Sequence, residues 1–161
     1  IVGQQLSTAA AATIFGRFES LFPAFPAPTD VRAMPDERLR GVGLSGQKVS
    51  YLRDLSRCIE EGALRIDALG RMDDEAVVTA LTQVKGVGRW TAEMFLIFRL
   101  QRPDVLPVGD LGIVKAVQRA YKLRKAPTPV RLTRIGEAWR PYRSVACWYL
   151  WASLNNDPTK D

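Results

Sequence analysis

An all-α fold is predicted for this chain by three observations. Apolar residues recur at helical spacing in segment after segment. Each such segment is bounded by proline, glycine or a capping side chain, and no stretch keeps the period-two alternation of a half-buried strand. At 161 residues the chain is one domain, or two closely packed subdomains, and is long enough to bury a core.

The elements follow in order. In "IVGQQLSTAAAATIFGRFES", Leu6, Ala10, Ile14 and Phe18 mark the apolar face of a first helix. Pro23, Pro26 and Pro28 then force an extended connector, and short helices can begin at Thr29 and Pro35. "GVGLSGQKVSYLRDLSRCIEEG" reads as a long helix with Ser45 as N-cap and Gly62 just past its end. Its stripe is Val49, Leu52, Leu55 and Ile59. "DDEAVVTALTQV" is a further helix opened by Asp73 or Asp74, and "RWTAEMFLIFRL" is apolar nearly all round, as a buried central helix would be. After Pro103, Asp110 stands at the entrance to a helix faced by Ile113, Val114, Val117 and Tyr121. "APTP" breaks the chain, and "RIGEAWRPYRSVACWYLWASL" supplies two last helices separated near Pro141.

Charge and residue usage bound the function. A net charge of +6 favours a polyanionic partner, with nucleic acid ahead of an anionic membrane surface. The basic residues look dispersed, no strongly amphipathic cationic helix stands out, and no apolar run is long enough to span a bilayer. Histidine is absent and cysteine occurs twice, at Cys58 and Cys147. Histidine general bases, His-ligated zinc and four-cysteine metal or iron–sulfur sites are thereby excluded. The two cysteines read as core thiols of a reduced compartment, with cytoplasm or nucleus the expected location. The start at Ile1 falls in mid-pattern, as if residues precede it, and nothing suggests an oligomer, so a monomer is expected.

The most informative stretch is "LTQVKGVGRWTAEM". A helix, the hairpin "KGVG" and a second helix form a helix–hairpin–helix. Gly86 and Gly88 let the backbone turn tightly and let a partner approach without side chains in the way. Unpaired N–H groups at the start of the second helix suit a DNA phosphate, and Lys85 and Arg89 add charge. The expected DNA-binding residues are Lys85, Gly86, Val87, Gly88, Arg89 and Thr91, gripping the backbone without reading sequence. The structural alternative is a tight helix–helix turn with no ligand.

About twenty residues beyond the hairpin comes "LPVGDLGIVKAV", with Asp110 opening a helix. This order resembles the helix–hairpin–helix–Gly/Pro–Asp superfamily of DNA glycosylases. "IVGQQLS", "GLSGQKVSYL", "VKGVGRWTAE" and "WRPYRSVACWYLW" together are similar to its DNA-3-methyladenine glycosylase II branch. The resemblance runs from Ile1 to about Trp151. It implies that Asp110 is the catalytic carboxylate, whereas Asp110 taken alone would be a helix N-cap. The chemistry is reasonable, because breaking an N-glycosidic bond builds positive charge on the sugar that a nearby carboxylate stabilises. An alkylated purine is already cationic and leaves readily, so a second acid can be absent.

The resemblance further implies a base pocket at Trp90, Met94 and Trp151, with Met94 where some relatives have tyrosine. Relatives that also cut the strand carry a lysine two residues past the second hairpin glycine. Here that position is Trp90, so monofunctional hydrolysis leaving an abasic site is expected. Gln5 is the implied wedge filling the gap left by a flipped base, with Gln4 beside it. Backbone carbonyls of Thr82, Val84 and Val87 would hold a Na+ or K+ ion, and no redox or nucleotide cofactor is expected. Arg143 is a candidate contact for DNA or for the carboxylate, while Trp148 and Tyr149 read as helix-packing core.

The expected architecture is therefore one domain, 1–161, of two helical subdomains with duplex DNA across the cleft between them. One subdomain runs from 23 to 105 with the hairpin at 81–94, and the other joins 1–22 to 106–161. Excision of alkylated purines, 3-methyladenine foremost, is the expected activity. The alternatives are ethenoadenine, hypoxanthine or uracil as the lesion, or a DNA-binding module without chemistry.

Overall fold

The structure is a computed structural model and describes residues 1–155. Every regular element among them is helical, in agreement with the all-α expectation. The chain divides into two compact units, Ile1–Gly88 and Arg89–Asp161.

In the first unit, helix α1 spans Thr8–Glu19, and the Ser7 hydroxyl accepts the Ala10 N–H at its start. The sequence pattern puts Leu6 on this helix. The structure instead turns twice before Ser7, with Gln4 N–H on the Ile1 carbonyl and Leu6 N–H on the Gly3 carbonyl. Gln5 adopts a φ of 58°, which breaks the helical run and takes Leu6 off the buried stripe. Helix α2 (Pro28–Ala33) has proline in its first turn, and Asp30 accepts the Ala27 N–H. Helix α3 (Asp36–Gly41) follows Pro35.

Helix α4 (Gly46–Glu60) is capped by Ser45 and ended by Gly62 at a φ of 73°. A short 3-10 segment, Ile66–Arg71, leads to helix α5 (Asp74–Thr82), whose cap is Asp73. The core of this unit is Val2, Phe18, Val31, Leu39, Leu44, Val49 and Leu52. Arg53 fastens α2 to α4 by donating to the carbonyls of Val31 and Met34 at 2.8 and 2.6 Å. These are the otherwise unpaired acceptors of a helix end.

The second unit opens with helix α6 (Arg89–Met94), which widens into a π-helical turn over Phe95–Arg99. That widening turns Phe98 outward to 51% exposure, so the segment is not the uniformly buried helix its composition suggests. Helix α7 (Leu111–Ala120) is capped by Asp110. Helix α8 (Pro129–Gly136), capped by Thr128, runs into the 3-10 turn Glu137–Trp139. The Arg140–Pro141 peptide is cis, and helix α9 (Arg143–Asn155) closes the described chain. Ile113, Val117, Leu132 and Cys147 form the core between α7, α8 and α9. Tyr121, expected on the buried stripe of α7, is instead the C-cap residue and is exposed.

Helix α9 also corrects the expectation for its aromatics. Its covered positions are 143, 144, 146, 147, 150, 151 and 154, a 3.6-residue rhythm that leaves 148 and 149 on the other side. Trp148 is 57% exposed and Tyr149 76%, so neither is core.

Candidate active site and hairpin

In the second unit, one carboxylate collects three donors. Asp110 Oδ1 accepts the Ile113 backbone N–H at 2.8 Å and the Trp151 indole N–H at 2.9 Å. Oδ2 accepts the Trp90 indole N–H at 2.7 Å. Asp110 therefore is the N-cap of α7, as its position in the sequence allows, and is also held by two tryptophans from α6 and α9. Although only 8% exposed, it has no ion-pair partner among the described residues. Such a carboxylate keeps its negative charge available to a developing cation, fixed in direction by three hydrogen bonds.

The tryptophans present rings as well as donors. Trp90 is 46% exposed. Trp151 stacks on Phe98 with ring centroids 5.8 Å apart and 24° between planes, and Trp148 meets Phe98 edge-on at 5.5 Å. Met94 is partly buried one turn after Trp90. Gly112 sits against this group, where a Cβ would lie 3.0 Å from Asp110 Oδ1 and 3.1 Å from the Trp151 ring. Phe98 and Gly112 were not singled out by sequence reasoning, and Trp148 was assigned to the core. Phe98 was hidden inside a run that composition assigned to the core.

Arg143 goes elsewhere. Its guanidinium lies on Asp104 at 2.7 and 3.1 Å, and it also donates to the Asp104 carbonyl at 2.7 Å. Arg140 joins the same carboxylate at 2.8 Å. The Arg143 hydrogen bond, ahead of the other charges, holds the Asp104 carboxyl below its ordinary range. Arg143 thus fixes the start of α9 and does not touch Asp110. Cys147, next to this region, is a buried free thiol pushed up to about 12, chiefly by burial and then by the Asp110 charge.

In the first unit the hairpin is clamped from beneath. Gly86 has a φ of 77° and lies on the Tyr51 ring so closely that a Cβ there would penetrate it. Asp54, on the same helix as Tyr51, accepts the Lys85 backbone N–H at 2.8 Å. That bond first, then the bond from Arg57 at 2.9 Å, holds the Asp54 carboxyl below its ordinary value. Gln4 donates its side-chain amide to the Gly86 carbonyl at 2.9 Å, which makes it a brace of the turn, while Gln5 is exposed in its left-handed conformation. Gly88, by contrast, has open space where its Cβ would stand. Tyr51 and Asp54 were missed in the sequence because an Asp–Arg pair three residues apart on a helix normally signals a solvated face.

Lys85, Val87 and Gly88 lie on the exposed or partly exposed rim of the turn, and Thr91 is partly buried. Arg89 donates to the buried Glu93 at 3.1 Å, so its charge is largely matched. Of the carbonyls expected to face a monovalent cation, that of Val84 accepts the Val87 N–H at 3.0 Å and would offer an ion its second lone pair. Among the described residues no group of three or more Cys, Asp or Glu is placed to hold a metal ion.

An all-helical chain with a glycine hairpin, followed by a helix-capping aspartate set among aromatic rings, defines the helix–hairpin–helix class of base-excision proteins. The family model for the HhH-GPD superfamily of base excision DNA repair proteins matches residues 1–141, and the chain belongs to that superfamily. It is 38% identical over 154 residues to DNA-3-methyladenine glycosylase 1 of Schizosaccharomyces pombe, covering 94% of this chain and 68% of that protein. A solved structure of the 3-methyladenine DNA glycosylase of that yeast, in complex with abasic DNA, superposes with a TM-score of 0.86 at 37% identity, covering 96% of this chain and 76% of the other. The crystal structure of a DNA-3-methyladenine glycosidase from Bacillus halodurans gives 0.85 at 39% identity, covering 96% and 72%.

Proposed function

We propose that this protein is a monofunctional DNA glycosylase that flips an alkylated purine, 3-methyladenine foremost, out of duplex DNA and hydrolyses its N-glycosidic bond. The observation that carries this reading is the Asp110 carboxylate, held by Trp90, Trp151 and the Ile113 N–H in a nearly buried setting. The similarity to 3-methyladenine glycosylases over more than nine-tenths of the chain supports the same reading.

As the glycosidic bond lengthens, its electron pair leaves with the base and positive charge grows on the sugar. Asp110 opposes that charge from a fixed direction, and a water adds to C1′ and gives up a proton to solvent, so that the cationic base leaves neutral and an abasic site remains. A cationic purine needs no protonation to leave, so the absence of histidine is no obstacle. The exposed face of Trp90 offers a cation–π contact of about 2 kcal/mol to a desolvated cationic base, and neutral purines gain less. Position 90 carries no amine for a Schiff base, so strand cleavage is not part of the reaction.

On this reading the hairpin rim at Lys85–Gly88 meets backbone phosphates, and Gln5 occupies the gap left in the stack. The protein acts as a monomer on double-stranded DNA.

The test is single-turnover release of 3-methyladenine from methylated duplex, wild type beside Asp110→Asn. Asparagine keeps the size and much of the capping capacity while removing the charge. Release by the wild type, lost in the variant with duplex binding retained, supports the assignment. Release by neither sinks alkylpurine excision, and equal release by both rejects Asp110.

A further inference from the structure

The net charge of +6 is not spread over the molecule. Between Leu111 and Gly136 lie seven of its 23 Lys and Arg and none of its 17 Asp and Glu, so the other 16 cations face 17 acids. The whole positive surplus thus belongs to α7, the loop after it and α8. Lys115, Lys122, Arg124, Lys125, Arg131 and Arg134 are all exposed and form no ion pair with a described residue. Many arginines elsewhere are neutralised, as Arg32 is by Glu60, Arg57 by Asp54 and Glu61, and Arg143 by Asp104.

The placement follows from the helices. Lys115 lies on the side of α7 away from buried Ile113, Ala116 and Val117, and Lys122, Arg124 and Lys125 are exposed in the loop that follows, where Lys122 has a φ of 52°. Arg131 and Arg134 are one turn apart on α8, on either side of buried Leu132. Between α8 and the loop that precedes it, a cavity of about 420 Å³ is lined by both arginines with Tyr121 and Thr128. The hairpin, meanwhile, offers fewer free cations, because Glu93 takes Arg89 and Lys85 alone is left without an ion pair among the described residues.

We propose that the α7–α8 segment is a second DNA-backbone contact, which supplies most of the salt-dependent affinity and grips phosphates away from the reacting nucleotide. The proposal rests on the reading of this protein as one that acts on duplex DNA. Helix α7 is about 15 Å long, so its basic end stands about four base steps from Asp110 at its other end. Unpaired, solvated cations with no acid among them fit a polyanion that releases counterions on binding. The hairpin then orients the duplex, while the α7–α8 segment provides attraction that is indifferent to sequence and to damage.

The experiment compares the intact protein with a variant carrying Lys122→Gln, Arg124→Gln, Lys125→Gln, Arg131→Gln and Arg134→Gln. The dissociation constant of an undamaged duplex is measured from about 50 to 200 mM salt. Each lost phosphate contact lowers the slope of log affinity on log salt by about 0.9, and the variant is expected to be shallower by at least about 2. Release of 3-methyladenine at saturating protein should stay within about twofold of wild type. The pair Lys122→Gln and Lys125→Gln, confined to the loop after α7, guards against misfolding of the larger variant and should lose about 1 to 2 of slope.

A slope unchanged in both variants overturns the proposal, as does loss of binding to phosphatidylserine vesicles with the duplex slope intact. A wild type without salt-sensitive duplex binding overturns the DNA reading itself. A wild type that binds duplex but releases no base overturns the chemistry alone, and the slope comparison still decides the second contact.

Discussion

Trp90 donates its indole N–H to Asp110 Oδ2 at 2.7 Å, so a residue expected only as a wall of the base pocket also holds the carboxylate. The two roles separate in Trp90→Phe, which keeps an aromatic face and deletes the donor. A hydrogen bond to a charged group is worth about 1.5–3 kcal/mol. If that bond orients the charge in the transition state, single-turnover base release falls about 10- to 100-fold. Trp90→Ala should fall further, because the cation–π contact is lost as well. Equal activity of Trp90→Phe and wild type would leave Trp90 a stacking residue only.

The hairpin glycines are not equivalent, and their alanine variants should behave oppositely. Gly86→Ala places a Cβ into the Tyr51 ring at a φ of 77°. The left-handed backbone alone costs an L-residue about 1–2 kcal/mol, so a clear fall in melting temperature is expected. Gly88→Ala meets no neighbour, and its melting temperature should stay near wild type. If a phosphate approaches that backbone in the complex, Gly88→Ala weakens duplex binding all the same. Unchanged affinity would remove Gly88 from the interface.

How much of this was legible in the sequence differs by kind of feature. Caps were legible, because Ser45, Asp73 and Asp110 each satisfy the N–H group three residues ahead, a purely local event. The hairpin and the aspartate were legible as a spaced motif. What was not legible depends on register between distant segments. Asp54 reaches Lys85, and Arg143 reaches Asp104, only after the chain has folded back. The exposure of Trp148 and Tyr149 follows from the face of α9 that Cys147 occupies, which composition does not reveal. The concentration of charge over 111–136 was in plain view, but cations counted without the acids around them look dispersed.

Asp54 makes hairpin integrity depend on pH in a defined direction. Its folded pKa is depressed below the ordinary value of about 3.9, so its contribution to stability is fully present above that value and disappears as pH falls through the lower, folded one. Asp104, depressed by Arg143, acts with the same sign. Asp54→Asn should therefore be less stable than wild type at pH 7, with the gap closing below about pH 4. Urea titrations at both pH values read this directly. A gap that persists in acid would mean that Asp54 supports the hairpin by shape and not by charge.

Cys147 carries the last prediction. A thiol at about 12 has almost no thiolate near neutrality, and both cysteines are buried. The native protein should react with a disulfide reagent at pH 8 far more slowly than the denatured chain, which exposes two thiols. Because Cys147 packs with Ile113 and Leu132 behind Asp110, its reactivity also reports the α7–α9 core. Trp151→Ala removes a large ring from that side of α9 and should speed the reaction at Cys147, with Cys58 in the other unit as an internal control. Equal acceleration at both cysteines would mean global unfolding. Acceleration at Cys147 alone would show that Trp151 closes the core behind the carboxylate as well as holding its oxygen.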